Sequence, residues 1–124
     1  MTTKDLGDLG ERAARKALKK AGYRLLAANW RCRYGEIDVV ARQGDTICFV
    51  EVKTQTVGSA VHPLEEVTPL KQQRLTRSAA EFLRRSGRLE RPCRFDVVTV
   101  TVPASGRPET TILTDAFPAA LPYG

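Results

Sequence analysis

Asp38, Glu51 and Lys53 stand where an otherwise apolar pattern has least use for charge. Asp38 lies between Ile37 and Val39, Glu51 between Val50 and Val52, and Lys53 follows Val52. Alternate side chains of a strand share a face, so Glu51 and Lys53 point the same way as Ile47 and Phe49. An acid and a lysine on a face that also carries core residues are costly to desolvate unless they meet each other, another charge or an ion. Two carboxylates brought together across a hairpin can hold Mg²⁺ (or Mn²⁺), hard cations that take oxygen ligands and leave positions for water and phosphate oxygens. Lys53 can then hold a phosphate oxygen, or orient and partly deprotonate a water, because burial beside a metal lowers the pKa of an ammonium. The plainer alternative is a solvated strand edge, where glutamate and lysine at this spacing are common.

Periodicity supplies the elements that position these groups. Gly35–Lys53 reads as a strand (Glu36–Arg42), a tight turn at Gln43-Gly44-Asp45 and a more apolar strand (Thr46–Lys53). Before it, a helix spans Asp5–Ala21, with Leu6, Leu9, Ala13, Ala17 and Ala21 as its buried stripe and Gly22 as its stop. Glu11 projects with Leu18 at the border of that stripe, either as a third carboxylate leaning towards the sheet or as the partner of Arg15 one turn on. Tyr23–Arg33 is the first strand, with Tyr23, Leu25 and Ala27 on one face and Leu26 and Ala28 on the other. Its end interleaves Trp30 and Tyr34 with Arg31 and Arg33. Arginines in such a run hold a phosphate backbone while an exposed ring stacks on a base; equally, Trp30 packs against a helix.

After Lys53 comes a loop, Thr54–Glu66, containing the lone histidine, His62, and placed to border the site. Thr68 is an N-cap, Pro69 fits the first helical position and Gly87 follows the last turn of a second helix, whose apolar stripe is Leu75, Ala79, Phe82 and Leu83. Lys71, Arg74, Arg77, Arg84 and Arg85 against the single acid Glu81 leave this helix with a net charge of +4. That is either a solvated face or a phosphate-binding one, aided by the preference of a helix N-terminus for anions. Arg94–Val100 is a further strand, with Phe95 and Val97 on one face and Asp96, Val98 and Val100 on the other. Asp96 there is a turn cap or a partner of Arg94. In the Pro-rich tail from Pro103, Thr110–Thr114 is a candidate edge strand, and Asp115–Gly124 is expected to stay irregular.

A chain of 124 residues has room for one core: an α/β domain over 1–102, with 103–124 as a C-terminal extension of the same domain. Its net charge of +6, from 20 basic and 14 acidic residues, favours an anionic partner, nucleic acid above all. No secretory start and no stretch of transmembrane length is found, so a cytoplasmic location without a membrane partner is expected. Cys32, Cys48 and Cys93 are an odd set without zinc-ligand spacing, the pattern of reduced thiols. There is no internal repeat, glycine-rich nucleotide loop or zinc-finger pattern.

The order helix, three strands, helix, strand, with acid, acid and lysine at the sheet, resembles the PD-(D/E)xK nuclease superfamily. More closely, the chain is similar to the YraN family of small bacterial proteins. Gly10-Glu11, Asn29 and Arg31, the GEIDVVA of Gly35–Ala41, the FVEVKT of Phe49–Thr54, Lys71, Arg74-Leu75 and Arg94–Val98 carry the likeness, over about Leu6 to Val100. The resemblance implies a restriction-endonuclease-like fold, a mixed central β-sheet flanked by helices, close to that of archaeal Holliday-junction resolvases. By position, Asp38 and Glu51 match its metal carboxylates, Lys53 its catalytic lysine, and Glu11 the helix glutamate of resolvase-like members, a third metal ligand. Glu36 shares the parity of Asp38 and assists. Ile37 stands where the motif often has proline. The implied activity is Mg²⁺- or Mn²⁺-dependent hydrolysis of phosphodiesters in DNA, branched or otherwise structured. Arg31, Arg33, Lys71, Arg74, Arg77 and Trp30 would lie against the nucleic acid, and a homodimer would serve two symmetric cuts. Two other classes compete: a non-catalytic nucleic-acid-binding protein with a vestigial site, and an interaction protein whose basic helix serves solubility.

Overall fold

Capping decides where the first helix begins. Thr2 accepts from the N–H of Asp5 while Asp5 accepts from the N–H of Thr2, both at 3.0 Å, a reciprocal capping box. Helix α1 therefore runs Thr3–Lys20, starting ahead of the Asp5 expected from apolar spacing. The computed structural model describes residues 1–59 and 62–120. Within them follow β1 (Arg24–Cys32), β2 (Gly35–Gln43), β3 (Thr46–Thr56), a 3-10 turn (Pro63–Glu66), α2 (Pro69–Arg85), β4 (Cys93–Val102) and β5 (Glu109–Phe117).

The strands form one five-stranded sheet in sequence order, β1 to β5. Only β3 and β4 are parallel, and α2 is the crossover between them. The fold is thus the expected mixed α/β one, a central sheet with a helix on each face, and is compatible with a restriction-endonuclease-like fold. Ile37, Val40, Phe49, Phe95 and Val97 pack with Leu75, Ala79, Phe82 and Leu83 of α2. Val39, Val50, Val98 and Val100 pack with Ala14 and Leu18 of α1. Thr68 caps α2 by accepting from the Lys71 N–H, and Gly87 takes φ +70° just beyond it, as the sequence signals require.

Several expectations are corrected. The buried stripe of α1 is Gly10, Ala14 and Leu18, not Leu6, Leu9, Ala13, Ala17 and Ala21, and Ala21 is exposed. The helix turns its smallest residues inward: a Cβ on Gly10 would sit 1.8 Å from Thr54 Oγ1, so α1 crosses β3 too closely for any side chain there. A register shift between Leu25 and Ala27 puts Ala27 beside Leu26 on the α2 face. Strand β3 continues to Thr56, and Pro63–Glu66 is helical, so Thr54–Glu66 is not all loop. His62 accepts from the Leu64 N–H through Nδ1 at 3.2 Å, capping that turn. The edge strand reaches Phe117, taking in Asp115–Phe117 that were expected to be irregular; residues 121–124 of that tail lie outside the described residues. Asp96 is fully buried on the α1 face, where it accepts from Arg94 Nε (3.0 Å), the Tyr23 hydroxyl (2.9 Å) and the Asp115 N–H (2.8 Å). Among the described residues, no helix is long and apolar enough to cross a membrane.

Candidate functional site

The hairpin ladder holds β2 to β3 from Gln43↔Thr46 to Val39↔Val50, and the next pair along is Asp38 and Glu51. There the strands part. Glu51 stays on the β3–β4 ladder opposite Val97, while Asp38 reaches over and accepts from the Val52 N–H at 2.8 Å. The opening between the strands is filled by two carboxyl groups, at the point where β2 breaks its alternation between Ile37 on the α2 face and Val39 on the α1 face. One hollow reaches them from the α2 side, past Glu36, Lys71 and Arg74; a second reaches them from the α1 side, past Glu11, Lys53 and Glu66. Asp38, Glu51 and Lys71 border both.

Glu51 is 4% exposed. Its Oε1 meets the Lys71 ammonium at 3.3 Å, and its Oε2 is buried with no hydrogen-bond partner. Burial, and then the Glu51 carboxylate, push Asp38 up to about 7, against the opposing Val52 N–H and Lys71 charge. Burial pulls Lys71 down, but Glu51 outweighs it and holds the ammonium above its ordinary range. Lys53 is lowered, by burial first and then by the charge of Lys71. It stands 3.9 Å from Glu66, at the rim of the α1-side hollow.

These groups fit a hard divalent cation. The donors are carboxylate oxygens, one of them buried without a partner, and the raised Asp38 carboxyl would give up its proton to such an ion. The expectation of three carboxylate ligands is nevertheless corrected. Among the described residues no group of three or more His, Cys, Asp or Glu side chains is gathered for a metal, which leaves Asp38 and Glu51 without Glu11. Glu11 is raised by burial and by the nearby Asp38 and Glu36, against the opposing charge of Arg15, which is near enough to be felt but not within ion-pair distance. Its partner is Asn29. With its nitrogen towards the acids, the Asn29 amide donates to Glu11 Oε1 at 2.7 Å and to Glu36 Oε1 at 3.0 Å. Asn29 holds φ +50°, a local left-handed turn within β1, and no periodicity marks such a residue as part of a site.

The residues expected on nucleic acid divide. Arg74 borders the α2-side hollow, beside Lys71. Arg31 is exposed and 3.6 Å from Glu36. Trp30 follows the alternative reading of that run: its ring meets Phe82 edge-on at 5.3 Å with Arg85 over it, so it packs against a helix. Arg33 and Arg77 both lie against the ring of Tyr34, the second aromatic of the interleaved run.

Residues 10–100 match a family described as the uncharacterised protein family UPF0102. A UPF0102 protein of Geobacter sulfurreducens is 41% identical over 117 residues, 94% of this chain and 91% of its own. One from Symbiobacterium thermophilum is 45% identical over 114 residues, 92% of this chain and 97% of its own. One from Moorella thermoacetica is 47% identical over 100 residues, 81% and 83% respectively. These descriptions name no activity.

Proposed function

The chain belongs to the uncharacterised protein family UPF0102, the YraN family of the sequence resemblance, and from that premise and its site we propose that it hydrolyses phosphodiester bonds in DNA with the help of Mg²⁺ or Mn²⁺. The observation that carries the reading is the buried, unpartnered Oε2 of Glu51 beside the Asp38 carboxyl, at the meeting of two hollows. Asp38 and Glu51 would hold the cation. Bound there, it supplies a Lewis acid for a phosphoryl oxygen and an acidified water. Lys53, an ammonium easier to deprotonate than an ordinary lysine, orients the attacking water and takes up charge as the phosphorus becomes five-coordinate. Lys71 leaves Glu51 for a phosphate oxygen when the carboxylates take another partner. Asn29 fixes Glu11 and Glu36 at the border, and Arg74 neutralises a neighbouring phosphate. Branched or structured DNA is the substrate class favoured by the resolvase likeness; paired cuts across a junction would need two copies of the site.

A second reading has its own observation. Lys71 already neutralises Glu51 at 3.3 Å, and only two carboxylates face each other, which suits a protein that binds nucleic acid without cutting it. One experiment separates the two: four-way, flap, single-stranded and linear DNAs are incubated with Mn²⁺ or Mg²⁺ and either the intact protein or Glu51→Ala. Cleavage lost in the variant, with its circular dichroism unchanged, is the expected result. Equal cleavage by both would expose a contaminating nuclease and remove the proposal, while salt-sensitive binding without cutting would leave the second reading.

A further inference from the structure

We propose that the flank of α2 facing the β1–β2 turn carries a single strand of nucleic acid away from the carboxylate pair and seats one of its bases at Tyr34. The inference rests on the nucleic-acid part of the proposed function and is independent of hydrolysis.

At roughly 100° per residue, Leu70, Arg74, Arg77 and Arg84 fall along one flank of the helix. Leu70 and Arg74 border the hollow that contains Asp38, Glu51 and Lys71. Arg77 and Arg84 border another, with Tyr34 and Leu89. One helix flank thus joins the two hollows. From Arg74 to Arg84 it runs ~15 Å at ~1.5 Å per residue, the length of about four to five stacked nucleotides.

The charges along this flank are unequal. Glu81 holds Arg84 at 2.5 Å and Arg85 at 2.8 Å, so those two are neutralised on the helix itself. Arg74 and Arg77 form no ion pair among the described residues. The Arg77 guanidinium instead lies 5.8 Å from the centre of the Tyr34 ring, and that of Arg33 lies 4.8 Å from it while donating to the Tyr34 hydroxyl at 2.6 Å. Two cations therefore meet at one half-buried ring, and Glu81, which borders the same hollow, is taken up by Arg84 and Arg85. Leu70 is 55% exposed and Leu89 63%, an open leucine towards either end of the track.

Unpaired arginines beside open leucines and a ring suit a polymer that alternates phosphates with flat apolar faces. A duplex offers only the phosphates here, because its bases are stacked inside. A single strand offers both, and bases stack on tyrosine and on guanidinium planes alike. Trp30 differs in being packed edge-on against Phe82 of the helix core, with Arg85 over it.

The test is binding by the intact protein in EDTA, followed by fluorescence anisotropy, with a blunt duplex and with the same duplex carrying a single-stranded arm. The armed DNA should bind more tightly. Tyr34→Ala should remove about 10-fold or more of its affinity, the loss of one stacked base, while Tyr34→Phe keeps it and blunt DNA is unaffected. Photo-crosslinking an arm that contains 5-iodouracil should label the wild-type peptide holding Tyr34, a readout that needs no variant to fold. Equal binding of armed DNA by Tyr34→Ala, or crosslinks confined to other peptides, would overturn the proposal. Binding that depends on Tyr34 with no cleavage under any cation would retire the hydrolysis and leave this track standing; cleavage without preference for an arm would do the reverse.

Discussion

Asp38 is buried beside the Glu51 carboxyl and holds its proton to a higher pH than an exposed aspartate does. Its folded pKa of about 7 lies above the usual 3.8, so between the two the folded state binds a proton that the unfolded chain does not. Stability is then greatest below the lower value and falls as pH rises through the higher one. Asp38→Asn cannot ionise and should lack that fall. Thermal denaturation without divalent ions should therefore show the wild type losing ground to Asp38→Asn between about pH 4 and about pH 7, and added Mn²⁺ should restore the wild type more at the upper end. Parallel curves for the two proteins would mean that Asp38 ionises normally. Glu51 was legible in the sequence because it stands on a strand whose neighbours Phe49 and Val50 alternate regularly between the two faces. Alternation breaks at Asp38, with Ile37 packed towards α2 and Val39 towards α1, so the direction of Asp38 was not legible from the pattern. Lys71 was assigned to phosphate, and its hold on Glu51 was not legible, since it depends on where the N-terminus of α2 docks. Trp30 was ambiguous for a related reason: its covering ring, Phe82, comes from a different element.

Helix α1 shows why the phase of an amphipathic element is harder to read than its existence. Leucines and alanines at three- and four-residue spacing located the helix, yet the contact with the sheet is centred on Gly10, Ala14 and Leu18. Apolar spacing rewards large side chains, whereas close approach rewards their absence. The proximity of Thr54, with its Oγ1 at 1.8 Å and both its Cβ and Cγ2 at 2.8 Å from a hypothetical Cβ, makes Gly10→Ala an overpacking substitution. It should cost about 1–3 kcal/mol in urea denaturation despite the better helix propensity of alanine. The cost should shrink in a Thr54→Ala background, where the nearest atom is gone, and that coupling is the diagnostic measurement. Strictly additive losses would show that α1 does not press on β3 at this point. Because Glu11 is the next residue, Gly10→Ala should also weaken the Asn29 contact that ties α1 to β2.

Net charge is the property of the whole molecule that the sequence states most plainly and the fold qualifies most. Of the basic residues behind the +6, Lys4, Arg31, Lys53, Lys71, Arg84, Arg85, Arg91 and Arg94 are held by Asp8, Glu36, Glu66, Glu51, Glu81, Asp45 and Asp96. What remains lies largely on two surfaces on opposite sides of the sheet. One is the flank of α2, with Arg74 and Arg77. The other is the outer face of α1, where Lys16 and Lys20 border a hollow with Arg107, a basic surface that reading the chain element by element left unweighed. Composition cannot choose between them, but position can, since Arg74 borders the hollow containing Asp38 and Glu51 and the α1 face does not. Each phosphate contact releases counterions, so the slope of log affinity against log salt counts the cations in use. Arg74→Ala and Arg77→Ala should each reduce that slope by about 1, and the Lys16→Ala, Lys20→Ala pair should leave it unchanged. The opposite pattern would put the polyanion on the α1 face, out of reach of the carboxylates, and would separate whatever this protein binds from the only cluster of acids placed to act on it among the described residues.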